Sequence, residues 1–110
     1  MPQRIDRIVE ELDKKKAEDI QVFDLSDREY VTNQVVIATT LGDKHTIALL
    51  EHLKERLKPE GETFVAIDEG EQWTVVDLGD IMIHLMVPSY RSKYNIEEFL
   101  DSLDKRESEA

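Results

Sequence analysis

The sequence predicts one α/β domain in which a mixed sheet of about five strands packs against helices. Its 110 residues, of which 40% are apolar, are enough for one core and too few for two ordinary ones. Stretches with helical spacing of apolar residues alternate with short runs typical of strands. Consecutive strands joined by short turns run antiparallel, so an all-parallel array is excluded. The domain is predicted over residues 1–104, followed by a flexible tail at 105–110.

The N-terminal forty residues predict one helix and two strands. Apolar residues at i, i+3, i+4 and i+7 place an amphipathic helix over the first sixteen residues. Strands are predicted over Ile20–Leu25 and Asn33–Thr40, with turn chemistry at Ser26–Arg28 between them. The run Val35–Ala38 is apolar on both faces, which indicates a central, covered strand. The helical apolar residues are Ile5, Ile8, Val9 and Leu12.

A second helix and three further strands are predicted in the middle of the chain. An apolar stripe occupies one side of the helix at Ile47–Leu57, and Asp43 is expected to cap this helix. Gly79 and Asp80 form a short turn signal, which favours an antiparallel hairpin between the last two strands. The predicted strands are Thr63–Ile67, Trp73–Leu78 and Ile81–Val87.

The C-terminal part predicts a connector and a short closing helix. The segment Ser89–Tyr94, which follows Pro88, is basic and aromatic and is expected to be a connector. Asn95 is the expected N-cap of the closing helix, whose apolar residues extend to Leu103. Beyond Asp104 the polar tail is expected to fray.

Composition argues against several classes of function. The formal net charge is −11, whereas nucleic-acid binding modules usually carry a basic stripe, so nucleic acid is not expected to be the main partner. The absence of cysteine removes disulfides, thiolate metal sites and cysteine nucleophiles. The sequence shows no targeting segment and no apolar stretch long enough for a membrane span. The protein is therefore expected to be soluble and cytoplasmic.

The acidic stretch from Pro59 to Tyr90 suggests a docking surface for a basic partner. It carries seven carboxylates, no lysine or arginine, and the single tryptophan, Trp73. A field of one sign steers an oppositely charged partner, and a large aromatic residue can anchor the contact. The alternative is a solubilising acidic face with Trp73 in the core. The carboxylates are Glu60, Glu62, Asp68, Glu69, Glu71, Asp77 and Asp80.

The register of the Trp73 strand separates these alternatives, and alternation alone leaves the register open. Trp73, Val75 and Asp77 share one face of the strand, and residues 74, 76 and 78 share the other. If the second set points inward, Trp73 and Val75 emerge beside the acidic turn. Such an exposed aromatic and aliphatic pair is typical of interfaces.

The titratable residues give no positive case for catalysis. His84 lies on an otherwise apolar strand face, and a structural hydrogen bond to a nearby carboxylate such as Asp80 is favoured over a role as base, ligand or switch. His45 and His52 lack the i, i+4 spacing of a helical metal site. A glycine-rich phosphate loop, a nucleophile elbow and a paired-carboxylate motif are all missing from the sequence. No catalytic residue, cofactor or metal is predicted.

Four blocks of residues follow one another in a recognisable order. They are Lys15–Ile20 with Asp24; Val36–Thr39 with His45; Trp73, Asp77, Gly79, Asp80 and His84; and Arg91, Tyr94 and Glu97. This order closely resembles the ribosomal silencing factor family, also called the Iojap or DUF143 family. The resemblance covers about residues 5 to 100.

The resemblance implies a fold related to nucleotidyltransferases without their activity. It also implies binding to the large ribosomal subunit through a basic ribosomal protein on its subunit-joining face, number fourteen in the large-subunit series, with ribosomal RNA as a minor contact. Occupation of that face would obstruct the small subunit and damp translation when nutrients are short. The implied partner-binding residues are Trp73, Val75, Glu69, Glu71, Asp77, Arg91, Lys93 and Tyr94, and the implied structural polar residues are His84 and Asp80.

Three alternatives remain open at this point. Arg91, Lys93 and Tyr94 would either contact the partner or stabilise the closing helix. A nucleotidyltransferase-like, phosphoryl-handling enzyme is a second hypothesis, although the strand after Gly42 and Asp43 lacks the carboxylate pair that holds a divalent metal in such enzymes. An exposed apolar pair could also support a homodimer when the protein is free.

Overall fold

The structure is a computed structural model that describes residues 4–25, 33–96 and 98–100. Within these ranges it contains helices α1 to α3, five strands and one 3-10 turn, with further helical residues at 96 and 98–100, which confirms the predicted α/β class with a mixed sheet. The elements are α1 (Arg4–Lys14), β1 (Glu18–Asp24), β2 (Gln34–Thr39), α2 (Asp43–Leu57), the 3-10 turn (Lys58–Glu60), β3 (Ala66–Asp68), β4 (Trp73–Asp77), β5 (Ile81–Met86) and α3 (Pro88–Tyr94).

The strands lie in the spatial order β1-β2-β5-β4-β3. β2 and β5 run parallel, and every other neighbouring pair runs antiparallel. The run Val35–Ala38 in β2 is fully buried, which confirms the prediction of a central, covered strand. The predicted hairpin between β4 and β5 is also confirmed. Its turn uses Gly79 at a φ of 96°, and the Gly79 N–H donates to Asp77 Oδ1 at 2.7 Å.

The two faces of the sheet pack against different elements. The covered face carries α1 and α2 and holds the larger apolar cluster. The opposite face, called the α3 face below, holds a smaller cluster against which Tyr90 of α3 and Ile96 pack. Strand residues of the covered face are Val36, Ala38, Val76, Ile81, Ile83 and Leu85. Buried strand residues of the α3 face are Phe23, Val35, Ile37 and Met86.

A buried carboxylate joins the two helices of the covered face. Glu11 of α1 has a fully buried side chain and accepts a hydrogen bond of 2.8 Å from His52 Nε2 of α2. Burial alone would raise the pKa of Glu11, but the hydrogen bond from His52 and the nearby charges of Lys14, Arg56 and Arg7 lower it below its usual value. The ion-pair cluster therefore ties α1 to α2 where a bare charge would be costly.

Two local predictions are wrong. Ser89–Tyr94 belongs to helix α3 and is not a connector, because Pro88 at the first helical position supplies a φ already suited to a helix. Asp43 does not cap α2, because the helix begins at Asp43 itself and its N-cap is Gly42. At this first-turn position the Asp43 carboxylate still faces the positive end of the helix dipole.

Element boundaries differ from the predictions at several ends. The first helix ends at Lys14, and Lys16 then adopts a left-handed φ of 67°. β1 begins at Glu18, earlier than predicted, and is irregular between Glu18 and Gln21. β3 is a short edge strand that starts later than predicted. No helix within the described ranges is both long and apolar enough to cross a membrane.

The chain reverses at Asn95, which has a left-handed φ of 44° and is the C-cap of α3. Its backbone N–H donates to a carbonyl of α3, and its side-chain amide donates to the Glu98 carboxylate at 2.6 Å. Ile96 and residues 98–100 are helical, so the predicted closing helix begins here. Leu103, the predicted turn at Ser26–Arg28 and the tail at 105–110 lie outside the described residues.

Candidate partner-binding face

The register of β4 places Trp73 on the α3 face. Thr74, Val76 and Leu78 are buried toward α1 and α2, whereas Trp73, Val75 and Asp77 are only partly buried. This is the register in which the aromatic residue and its aliphatic neighbour emerge. The ring of Trp73 is nevertheless not fully open, because it packs beside the smaller apolar cluster. The docking face is defined here as the partly buried side chains Trp73, Val75, Asp77, Met82 and His84.

Two neighbours hold the Trp73 ring. Its indole Nε1 donates to Nδ1 of His84 on β5 at 3.1 Å, and the two ring centroids lie 6.0 Å apart. On the other element, the ring centroid of Tyr94 in α3 lies 5.2 Å away at an interplanar angle of 40°. A tilted arrangement at this distance is favourable for two aromatic rings. The indole is thereby attached to both the sheet and α3.

His84 is a neutral hydrogen-bond acceptor in this arrangement. Burial lowers its pKa to about 4, since the charged imidazolium would lose its hydration. The donor Trp73 N–H requires an unprotonated Nδ1, so the proton of the neutral ring resides on Nε2. The favoured structural role of His84 agrees with this geometry, but the predicted carboxylate partner is wrong. Asp80 turns away to bind Arg4 of α1, and the indole takes its place beside His84.

Four of the seven carboxylates lie around the docking face without a basic partner in the described part of the chain. Asp68 is paired with Val75 across β3 and β4, and Glu69 and Glu71 are exposed in the turn that leads to Trp73. One carboxylate oxygen of Asp77 accepts a hydrogen bond from the Gly79 N–H. The turn is narrow at Gly70, where a Cβ would lie 2.7 Å from the Trp73 carbonyl oxygen. The turn between Glu69 and Glu71 therefore passes close to the backbone of Trp73.

The other three carboxylates are neutralised by α1. Arg4 donates to Glu62 at 2.6 Å and to Asp80 at 2.5 Å, and Arg7 binds Glu60. The hydrogen bond from Arg4 lowers the pKa of Asp80. The predicted acidic field is consequently divided, and within the described residues only its four carboxylates around the docking face lack a basic partner.

The three residues carried over from the C-terminal block have different environments. Arg91 is buried, with Nη1 donating to Asp19 O and Thr39 Oγ1, both at 2.7 Å. Its guanidinium ties α3 to β1 and β2. The partner contact that the sequence suggests for Arg91 stays a prediction. Tyr94 is exposed beside Trp73, and Lys93 Nζ lies 5.4 Å from the Tyr94 ring centroid. These two extend the docking face onto α3.

The remaining two histidines form hydrogen bonds within the fold. His45 Nδ1 accepts from the Leu41 N–H at 2.8 Å, and its Nε2 lies 2.6 Å from the Lys15 carbonyl oxygen. His52 binds Glu11. Within the ranges 4–25, 33–96 and 98–100, no three His, Cys, Asp or Glu side chains come together in a way that could hold a metal ion.

Met82 and Asp68 lie at the docking face, although neither was among the partner-binding residues predicted from the sequence. Met82 pairs with Asp77 across β4 and β5, and Asp68 pairs with Val75 across β3 and β4. The first pairing was available from the sequence, because a two-residue turn at residues 79 and 80 places residue 77 opposite residue 82. The second was not, because the turn between β3 and β4 has no such signature.

These features define a small α/β domain with one sealed sheet face and one partly open, acidic and aromatic face. The family model described as "Ribosomal silencing factor during starvation" matches residues 1–110. The chain therefore belongs to the ribosomal silencing factor family.

Individual relatives and a solved structure agree with this assignment. The ribosomal silencing factor RsfS of Haemophilus influenzae is 32% identical over 98 residues, which cover 86% of this chain and 94% of the relative. The mouse protein named "Mitochondrial assembly of ribosomal large subunit protein 1" is 30% identical over 99 residues, covering 86% of this chain and 43% of that protein. A crystal structure of a Chromobacterium violaceum protein superimposes with a TM-score of 0.80 at 29% identity, covering 86% of this chain and 80% of that one.

Proposed function

We propose that this protein silences translation by seating its docking face on a basic protein of the large ribosomal subunit, number fourteen in the large-subunit series, and thereby blocking the small subunit. The observation that carries the proposal is a partly buried tryptophan held in place on a face around which four carboxylates have no basic partner in the described residues. Family membership and the name of the mouse relative, which refers to the large subunit, support the choice of particle.

The charge of the chain favours a protein contact over an RNA contact. The formal net charge of −11 repels the phosphates that cover most of a ribosomal surface. A basic protein patch is where an acidic domain can approach, and complementary charge speeds encounter and rejects other orientations. Trp73 then supplies apolar contact area at the centre, where a single aromatic anchor commonly contributes about 2 kcal/mol or more.

The proposed action is steric. The domain extends over 42 × 34 × 23 Å, so a copy seated on the subunit-joining face occupies space that the small subunit needs. Such a mechanism needs affinity and position, and it requires no reacting group. We expect it to operate in the cytoplasm, where the two subunits meet.

Tyr94 and Lys93 are proposed to form the flank of the contact. Tyr94 is exposed and packs on Trp73, so it adds aromatic area next to the anchor. Lys93, whose Nζ lies 5.4 Å from the Tyr94 ring centroid, adds a positive charge at this edge, and a minor contact to ribosomal RNA would be made here. In the free protein the same apolar area could support a homodimer, which light scattering across a dilution series would detect.

A capture experiment tests the proposed surface. Tagged wild-type protein and the variant Trp73→Ala are compared for recovery of large subunits from purified ribosomal particles. We expect Trp73→Ala to lose at least about tenfold in affinity, since a buried aromatic anchor commonly contributes about 2 kcal/mol or more. Equal recovery by both proteins would contradict the assigned surface.

Charge reversal gives a second, independent test of the proposed surface. The pair Glu69→Lys and Glu71→Lys is compared with Glu51→Lys and Glu55→Lys, which changes the net charge equally on exposed positions of α2. Only the first pair should weaken capture and slow the inhibition of reassociation of purified subunits. A similar loss in both pairs would show that net charge, and not the docking face, governs binding.

A further inference from the structure

The indole N–H of Trp73 shows how the anchor is oriented. A partly buried N–H needs an acceptor, and its partner is Nδ1 of His84 at 3.1 Å. A hydrogen bond to a ring nitrogen is directional, so it restricts rotation of the indole about its side-chain torsions. The apolar part of the ring is then presented in one orientation before any partner arrives.

The acceptor lies on an interior strand of the sheet. His84 lies in β5, paired with Ile37 of β2 on one side and Val75 of β4 on the other. Burial lowers its pKa to about 4, so the Nδ1 lone pair remains free to accept at neutral pH. Tyr94 contacts the indole from α3 and limits a second direction of motion. The anchor is therefore oriented by a strand and a helix together.

We propose that His84 is a positioning residue for partner binding, which fixes the Trp73 ring in its binding-competent orientation by accepting the indole N–H. The inference rests on the proposed function for its effect on affinity, but the geometric part stands on the Trp73–His84 contact alone. Ordering a side chain in advance lowers the entropy lost on association, which is why a positioned anchor binds more tightly than a mobile one.

Two nearly isosteric variants separate the acceptor from the shape of the side chain. In His84→Asn the amide oxygen occupies the place of Nδ1 and can accept the indole N–H, whereas His84→Leu places a methyl group there. We expect His84→Leu to bind large subunits about tenfold more weakly than wild type, and His84→Asn to remain within about threefold. Faster solvent exchange of the Trp73 indole proton should accompany the loss in His84→Leu only.

A double-variant comparison separates loss of the Trp73–His84 hydrogen bond from any unrelated structural effect of His84→Leu. Trp73→Phe removes the donor, so adding His84→Leu to Trp73→Phe should weaken binding much less than His84→Leu weakens wild type. If His84→Leu binds as tightly as His84→Asn, or costs the same affinity in both backgrounds, the positioning role is overturned.

A measurement on the unaltered protein decides the matter even if His84→Leu does not fold. In protein labelled with ¹⁵N, scalar coupling across the hydrogen bond should connect Trp73 Nε1 with His84 Nδ1, and the indole proton should exchange more slowly than in a free tryptophan. Absence of both signals overturns the proposal. Failure of wild type to capture large subunits would instead contradict the proposed function, while the coupling would still report whether His84 orients the ring.

Discussion

The two faces of the sheet in this protein are built from alternate residues of the same strands, yet they differ in every physical property that matters for function. The covered face is fully apolar at its centre and is closed by α1 and α2. The α3 face is closed over β1 and β2 but leaves Val75, Met82 and His84 only partly buried. We therefore expect the covered face to contribute more to stability, while the α3 face leaves apolar surface partly accessible.

The charges follow the same division. On the covered side, Glu11, Glu60, Glu62 and Asp80 all have arginine or histidine partners on the helices. Around the docking face, Asp68, Glu69 and Glu71 have no ion pair within the described ranges. An ion pair inside the fold removes a carboxylate from the external field, whereas an unpaired one contributes to steering. We therefore expect local pairing, and not the number of acids, to decide which surface a basic partner would meet.

The largest expected effect tests the contrast between the faces with neighbouring residues of β4. Val76 is fully buried on the covered face and Val75 is partly buried on the docking face. Val76→Ala should lower the free energy of unfolding by about 2–3 kcal/mol through lost burial and a residual cavity, and Val75→Ala by less than about 1 kcal/mol. Urea unfolding measures both.

Binding should show the reverse order for the same pair. Val75→Ala removes contact area beside Trp73 and should weaken capture of large subunits, whereas folded Val76→Ala should bind like wild type. Equal destabilisation by the two substitutions would mean that the docking face is as closely packed as the covered one.

The second effect concerns pH and the neutral His84. Its pKa is near 6.5 in an unfolded chain and about 4 in the folded protein, so the unfolded state binds more protons between these values. The free energy of unfolding therefore rises with pH across this window, and lowering the pH from 7.5 to 5 should remove about 2 kcal/mol. Denaturant unfolding at a series of pH values measures this slope.

His84→Asn is the control for that measurement, because asparagine does not titrate. In this variant the unfolding free energy should lose its His84-dependent rise between pH 4 and 6.5. Protonation of carboxylates with lowered pKa values, Glu11 and Asp80 among them, should still destabilise both proteins at more acid pH. Identical pH profiles for the two proteins would show that His84 is not held neutral by the fold.

Periodicity and turn chemistry were sufficient to predict the succession of five strands along the sequence, the covered strand β2 and the β4–β5 hairpin. These features depend on local sequence patterns. The two-residue turn at Gly79 determines which residues of β4 and β5 pair. The register that brings Trp73 to the α3 face could be stated only as one of two alternatives, because both sets of β4 residues contain apolar side chains.

What could not be predicted depends on contacts between distant segments. The pairing of Asp80 with Arg4 joins residues 76 positions apart, and it leaves His84 to accept the Trp73 indole. The sequence similarly predicted Arg91 in a connector with an implied partner contact, whereas its side chain is buried in α3 and donates to Asp19 and Thr39 on β1 and β2. Charge counted along a sequence cannot show which charges meet in space.

The smallest expected effect tests the division of the acidic residues. Arg4→Ala would release Glu62 and Asp80 from their ion pairs, which are partly exposed to solvent. Screening by water limits the expected loss of unfolding free energy to less than about 1 kcal/mol, and high salt should shrink it further. Urea unfolding at low and high ionic strength measures both quantities.

Because the released carboxylates lie away from Trp73, capture of large subunits should remain within about twofold of wild type. A strong gain in capture would mean that the two acidic groups act as one field, and the proposed separation between paired and available carboxylates would then fail.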